Sequence, residues 1–412
     1  DFLEDLPVDN VRNNHLSPAP YGVAIDLGTT TVVLYFMDMV SGKIEKIASF
    51  VNPQISFGAD VISRISYCQT HPDGLGILQQ LIVDAINHEL NLFSSAKNSQ
   101  QNDVVELAIA GNTTMLHLLL GIDPEPIALA PFKPRFVDKQ SLSGRATSFA
   151  VHPEAEIITL PCISAYCGAD LVAGLAALKT DYRSYLFVDI GTNGEIALVD
   201  GDTVYVCAAA AGPTFEGANI SCGKSATPGA IASFRDPNHY EVIDGTEPNG
   251  ICGSGIIDVM AFLLKEQLVT EDGLLAEPFV VHRKAGLVIT QEDVREIQLA
   301  KSAIYSGMKI LLKQAGKTFH DLDALFLAGG FGNYIHIAAA IRIGLLPREI
   351  ENKIHPIGNS SAMGALQFLK SRSFEEKVNE IIKKAVYIEL SGIDDFAYEF
   401  ALNMNFNPPV SP

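Results

Sequence analysis

Apolar positions fall into short runs closed by glycine, and two such patterns occur twice in the same order. YGVAIDLGTTTVVLYFMD, from Tyr21 to Asp38, reads as a strand, a glycine turn and a second strand whose β-branched core is Val32–Phe36. SYLFVDIGTNGEIALVDGDTVYV, from Ser184 to Val206, repeats it, with Asp26, Gly28 and Thr29 matched by Asp189, Gly191 and Thr192. VELAIAGNTTMLHLLLG (Val105–Gly121) reads as an apolar strand, a glycine turn and a helix. LDALFLAGGFGNYIHIAAAIRIG (Leu322–Gly344) has the same shape, so Gly111 is matched by Gly329. Two matched patterns in matched order indicate an internal duplication. Each copy predicts an α/β half built on a mixed sheet, with a ligand cleft expected between the halves.

The spacing between the two patterns is longer in the second copy, which predicts an insertion at about 212–300. The expected organisation is a linker over 1–20, a first half over 21–180 and a second half over 181–372. A C-terminal segment, 373–412, is expected to pack on the core. The linker assignment rests on polar residues, the prolines Pro7, Pro18 and Pro20, and the lack of any period.

Composition narrows the partners. The chain of 412 residues is 48% hydrophobic and 19% charged, in the range of a folded globular protein. A formal net charge of -19 speaks against nucleic-acid backbones and anionic membrane surfaces, which both need Lys/Arg stripes. No apolar run reaches the ~18 residues of a spanning helix. The cysteines Cys68, Cys162, Cys167, Cys207, Cys222 and Cys252 form no CxxC pair and no cluster spacing. They read as reduced thiols of a cytoplasmic protein.

Candidate chemistry sits at the glycine turns. In DLGTTT a strand ends on the carboxylate of Asp26. Gly28 then allows a tight turn, and Thr29 and Thr30 offer hydroxyl and N–H donors to a phosphate. Asp26 would hold Mg²⁺ through water, since magnesium keeps most of its waters and takes few carboxylates. A lone turn of this kind is as well explained by an ordinary hairpin. The second copy, Asp189, Gly191, Thr192, Asn193 and Glu195, favours a phosphate clamp with Asp189 as the second metal carboxylate.

GICGSG (Gly250–Gly255) opens an apolar helix, so Gly253 and Ser254 could face an anion or simply pack. AGGFGN (Ala328–Asn333) ends an apolar strand, so Gly329, Gly330 and Asn333 could admit a base or ribose, or allow close packing. GANISCGKS (Gly217–Ser225) imitates a P-loop but has one residue too many between its glycines. Glu216, in GPTFEG, is the candidate to orient an attacking water, with Glu195 its rival. His117 and His336 lie in apolar stretches and are expected to be packed core residues.

Together these segments resemble the actin/Hsp70/sugar-kinase superfamily. Asp26–Thr31 and Asp189–Glu195 are similar to its two phosphate loops, and Ala328–Asn333 to its adenosine loop. NPQISFGADVISRI, GPTFEGANISCG, NGICGSGIID and GNSSAMGA narrow the likeness to ATP-dependent reductive activators of corrinoid proteins, over nearly the whole chain from Tyr21. The resemblance implies a duplicated ribonuclease-H-like (actin-like ATPase) fold, with ATP and Mg²⁺ as ligands. Its implied activity is reduction of the Co(II) corrinoid of a methyl-carrier protein to Co(I). Family members often carry a [2Fe–2S] domain ahead of the ATPase part. No iron–sulfur cluster is expected in this chain itself, which opens on Asp1, so the electron is expected from an upstream module or a separate donor protein. A homodimer is left open. The competing readings are a small-metabolite kinase of the sugar/acetate-kinase type, for which Arg64 and Lys224 could serve an acceptor pocket, and an Hsp70-like nucleotide-gated binding module.

Overall fold

The computed structural model describes residues 2–3, 5–9, 14–97, 103–191, 193–329 and 334–406. It divides into two compact units, the first comprising 1–180 and 359–385, the second 181–358 and 386–412.

The first unit opens with the meander β1 (Tyr21–Leu27), β2 (Thr31–Asp38) and β3 (Ile44–Val51). Helices α1 (Val61–Thr70) and α2 (Gly74–Lys97) lead to β4 (Val104–Gly111) and α3 (Thr113–Leu120). The short α4 (Glu125–Ala128), β5 (Gln140–Ser143), β6 (Glu156–Thr159) and α5 (Ala169–Ala177) follow. Strand order is β3-β2-β1-β4-β6-β5. β1 runs antiparallel to β2 and parallel to β4, which is parallel to β6. Every residue of β4 is buried, as expected of a central strand covered on both faces.

The second unit repeats this order. β7 (Ser184–Ile190), β8 (Gly194–Asp200) and β9 (Thr203–Ala209) form the meander. β10 (Ala230–Asp236), β11 (His239–Val242) and β12 (Gly250–Ile251) make a small separate sheet, followed by α6 (Gly253–Lys265) and the hairpin β13 (Phe279–His282)–β14 (Leu287–Ile289). After α7 (Gln291–Gln314) come β15 (Ala324–Ala328), α8 (Ile337–Arg342) and β16 (Ile354–Gly358). β9-β8-β7-β15-β16 thus corresponds to β3-β2-β1-β4-β6 in order and in strand sense. The small sheet, α6 and the hairpin lie between β9 and α7. Each unit has its own apolar core.

The boundaries differ from expectation at both ends. After β16 the chain returns to the first unit as α9 (Ser360–Lys370) and α10 (Arg372–Lys384). α9 is buried along nearly its whole length and packs on α5, β1 and β4, because its small residues Ala362, Gly364 and Ala365 admit close neighbours. β17 (Ala385–Tyr387) and α11 (Asp394–Leu402) follow, and α11 lies on α7 in the second unit. The segment 373–412 is therefore divided between the units. Residues 2–3 and 5–9, read as part of a linker, are docked on the first unit: Leu3 bridges to Leu178, and Asp9 N–H donates to the Lys370 carbonyl at 2.9 Å. Hydrogen bonds from backbone groups leave no periodic trace in side-chain pattern, so this contact has no sequence signature.

Candidate functional site

In the first unit the β1–β2 turn is fixed from beneath. Gly28 N–H donates to Thr31 O at 3.1 Å, and a Cβ on Gly28 would stand 2.4 Å from that oxygen, so only glycine fits. Asn52 Nδ2 donates to Gly28 O at 2.9 Å, and Asn112 Nδ2 to Thr29 Oγ1 at 2.9 Å. Arg64 is fully buried; its guanidinium donates to Thr29 O at 2.6 Å, Gly58 O at 2.9 Å and Gln54 Oε1 at 3.0 Å. Arg64 is therefore committed to holding the turn, and the expectation that it could serve an acceptor pocket is corrected. Lys224 is similarly engaged, donating to Pro228 O at 2.7 Å and Asn249 Oδ1 at 2.6 Å.

Asp26 closes β1 with its carboxylate gripped by the start of α9: Asn359 Nδ2 donates to one oxygen at 2.7 Å and Ser361 Oγ to the other at 2.8 Å. Burial raises its proton affinity, and those two hydrogen bonds partly offset the rise. A second carboxylate, Asp170, stands in the first turn of α5. Burial pushes it up to about 7, the Leu171 N–H works against that rise, and the negative charge of Asp26 adds to it. Gly168 lets α5 begin against β4, since a Cβ there would lie 2.5 Å from both Asn112 Cα and Asp170 Oδ1. Two carboxylates are thus kept above their usual range by burial, one feeling the other's charge.

Of the residues at this turn, sequence reasoning singled out Asp26, Gly28, Thr29 and Thr30; it did not single out Asp170, Asn112, Asn359 and Ser361, which the structure brings beside them. The available signals were small: the GAD at Gly168–Asp170 and the GNSS at Gly358–Ser361.

In the second unit the equivalent turn is looser. Gly191 N–H donates to Asn193 O at 3.2 Å. A Cβ on Gly191 would meet Glu216 Oε1 at 3.6 Å, which brings Glu216 beside this turn. Glu216 ends the 3₁₀ turn Pro213–Glu216, set between Gly212 and Gly217 at φ of +69° and +88°. Glu195 is buried and pairs in register with Asp189 across β7–β8. Gly329, at φ +92°, lies over Asp189: an added Cβ would stand 2.7 Å from Asp189 Oδ1. The unit thus gathers Asp189, Gly191, Asn193, Glu195, Glu216 and Gly329. Thr192, Gly330 and Asn333 lie outside the described residues.

α6 packs on the Pro213–Glu216 turn. The Ser254 hydroxyl donates to Ala232 O at 2.7 Å, and a Cβ on Gly255 would meet Ile231 O at 2.2 Å, so Ser254 and Gly255 are closely packed on β10, and Gly253 before them is buried. His117 is buried as expected, with Nδ1 at 2.7 Å from Thr113 O and Nε2 accepting from Arg135 N–H at 3.1 Å. His336 is not a core residue: its side chain is 57% exposed and reaches Asp258 at 2.8 Å. The apolar alanines after it misled, because they form the next helix and not its own surroundings.

All six cysteines are free thiols at scattered places in the fold. Among the described residues no group of three or more His, Cys, Asp or Glu could hold a metal, and no helix is long and apolar enough to cross a membrane.

The comparisons with known proteins agree with this geometry. Residues 21–183 match the RACo middle region, and 183–409 match the C-terminal domain of RACo, the ASKHA domain. The chain is 35% identical to the corrinoid activation enzyme RamQ of Eubacterium limosum, over 98% of this chain and 73% of that protein. It is 28% identical to a [Co(II) methylated amine-specific corrinoid protein] reductase of Methanosarcina barkeri, over 88% and 72%. Among solved structures, a reductive activator for a corrinoid, iron–sulfur protein superposes with a TM-score of 0.86 at 35% identity, covering 96% of this chain and 67% of that one. The duplicated sheets and these matches agree: the chain belongs to the RACo family of corrinoid activation enzymes, with an actin-like ASKHA ATPase fold.

Proposed function

We propose that this protein uses ATP to drive reductive activation of a corrinoid protein, returning its cobalt from Co(II) to Co(I). The observation that carries the reading is the 35% identity to a corrinoid activation enzyme over 98% of the chain. The polar framework around Asp26 supports it, since it is built to hold a carboxylate and a phosphate-sized turn in fixed positions.

Asp26, steadied by Asn359 and Ser361, and Asp170 would hold Mg²⁺ through its water shell in the first unit; Asp189 is the corresponding carboxylate of the second unit. The ion would neutralise charge on the phosphate oxygens. Thr29, Thr30 and Asn193, with the backbone of the Gly28 and Gly191 turns, would bind those oxygens. Glu216, beside the Gly191 turn, would be the carboxylate that orients a water towards the terminal phosphate; the burial of Glu195 within β8 supports that choice. Gly329 would leave room for the nucleoside.

A one-electron step made unfavourable by about 59 mV loses a factor of about ten in its equilibrium constant. Nucleotide-dependent binding of the carrier would offset such a gap by favouring the reducible form of the corrinoid. The electron itself would come from a donor protein or an iron–sulfur module.

The test is ATP turnover with and without a Co(II) corrinoid protein. Stimulation by that protein supports the reading. Stimulation by a small hydroxy compound, with none by the corrinoid protein, would replace it with a kinase.

A further inference from the structure

Helices α5 and α9 run side by side in the first unit, and both begin at the carboxylate site. α5 carries Asp170 in its first turn, while Asn359 and Ser361 at the start of α9 hold Asp26. Midway, at Gly364, the two helices touch backbone to backbone: a Cβ on Gly364 would stand 2.2 Å from Ala173 O. Their far ends are joined by the docked N-terminal segment. Lys179 N–H, just past α5, donates to Phe2 O at 2.8 Å, and Leu3 forms a β-bridge with Leu178. On the α9 side, Leu6 N–H donates to Gln367 Oε1 at 2.8 Å, and Lys370 pairs with Asp5. Asp9 then binds the junction of α9 and α10 three times. Its N–H donates to Lys370 O at 2.9 Å, and its carboxylate accepts from Ser371 Oγ at 2.9 Å and from Arg372 N–H at 3.0 Å.

The geometry points to the N-terminal segment as a clasp that positions the nucleotide carboxylates, with Asp9 as its main positioning residue. The helices are short rods of nine and eleven residues, about 13 and 16 Å long. They pack along each other, in backbone contact at Gly364–Ala173, and α9 also packs on β1 and β4. Helices packed in this way move as one layer, so a shift at one end is carried to the other. Residues 2–3 and 5–9 tie one end, and Asp26 and Asp170 lie at the other. Releasing the tie would let the starts of the helices shift, and with them the Asn359 and Ser361 donors on Asp26. Movements well under a hydrogen-bond length already weaken such contacts, since these bonds fall off steeply with distance and angle.

The inference rests on the ATP reading for its activity readout, but its structural arm does not. The experiment compares the full chain with Asp9→Ala, with Asp9→Asn, which keeps an acceptor for Arg372 N–H, and with Ile86→Val. Ile86 is buried on α2, so that variant weakens the same unit without disturbing the clasp. Asp5→Ala is the milder variant should Asp9→Ala fail to fold. Two quantities are read: kcat/KM for Mg-ATP, and hydrogen exchange at the Leu171 and Ala362 amides, which are bonded to Asp170 and Asn359 at the far ends of the helices.

Expected is a loss of about threefold or more in kcat/KM for Asp9→Ala, faster exchange at both amides, and recovery of both in Asp9→Asn. Ile86→Val should change neither by as much. If Asp9→Ala lowers thermal stability but leaves kcat/KM and the two amides at wild-type values, the clasp is structural only and the inference is overturned. Faster exchange at both amides in a chain whose ATP turnover is indifferent to Asp26→Ala would uphold the clasp while removing the ATP reading.

Discussion

Gly364→Ala perturbs the contact between α5 and α9 by a single methyl group. The new carbon would stand 2.2 Å from the Ala173 carbonyl oxygen, where about 3.5 Å is the ordinary distance. The obstacle is backbone within a buried helix, so it cannot rotate away, and α9 must move outward by about 1 Å. Overpacking of this kind costs about 1–3 kcal/mol. Replacing glycine by alanine within a helix returns about 1 kcal/mol, which leaves a net loss of about 1 kcal/mol.

The larger consequence is at the site. Asn359 and Ser361 lie within two turns of Gly364, and their bonds to Asp26 of 2.7 and 2.8 Å would lengthen past useful range. Losing one hydrogen bond to a charged group is worth about 1.5–3 kcal/mol, so Mg-ATP affinity should fall by about tenfold or more. Calorimetry with Mg-ATP and urea unfolding measure the two effects separately. A variant that is more stable than wild type and binds Mg-ATP equally well would refute the close packing of α9 on α5.

Asp26→Ala and Asp189→Ala should each weaken Mg-ATP binding without unfolding the protein, and calorimetry that finds wild-type affinity in both would remove the assignment of these carboxylates to Mg-ATP. Asp170 holds its proton up to about 7 in the folded chain against 3.8 for the ordinary group, so the fold binds the extra proton between those values and stability from this group falls as pH rises through that window. Asp170→Asn should therefore stabilise the nucleotide-free protein at pH 8 by on the order of 2 kcal/mol and hardly at all at pH 3.5, as read by urea unfolding, while lowering Mg-ATP affinity. Lys301, buried on α7 against Asn405 O and the Phe406 ring, is pushed from 10.5 down to about 7. Its folded form sheds a proton that the unfolded chain keeps, so stability from this group is lost as pH falls from about 10 towards 7, at up to about 1.4 kcal/mol per pH unit. Lys301→Met should flatten that slope in unfolding measured at pH 7 and 9.5.

The duplicated sheet was readable because it depends on local pattern. An apolar strand ending in Asp-x-Gly-Thr occurs twice, and Gly111 at the end of β4 recurs in step as Gly329 just after β15. The partners of Asp26 were not readable, for a physical reason. Asn359 and Ser361 reach it from the far end of the chain, after β16 has been completed in the other unit, and no local spacing records such a contact. Asp170 sits among small apolar residues, where a first-turn aspartate is also what any helix start would choose. Arg64 seemed free to meet a ligand because a charge on an amphipathic helix usually faces water. Here acceptors that include the Thr29 and Gly58 carbonyls, Gln54 Oε1 and Met115 Sδ keep it inside. His336 shows the opposite error, an exposed imidazole in an apolar-looking stretch.

The central claim, that ATP drives corrinoid reduction through this protein, is tested most directly by cobalt spectroscopy. The protein, a Co(II) corrinoid carrier and a low-potential reductant are mixed anaerobically with and without Mg-ATP. The account predicts the Co(I) absorption with Mg-ATP and little of it without nucleotide or with the Asp26→Ala variant. Equal Co(I) formation in the presence and absence of ATP, or none in either while ATP is hydrolysed, would contradict it.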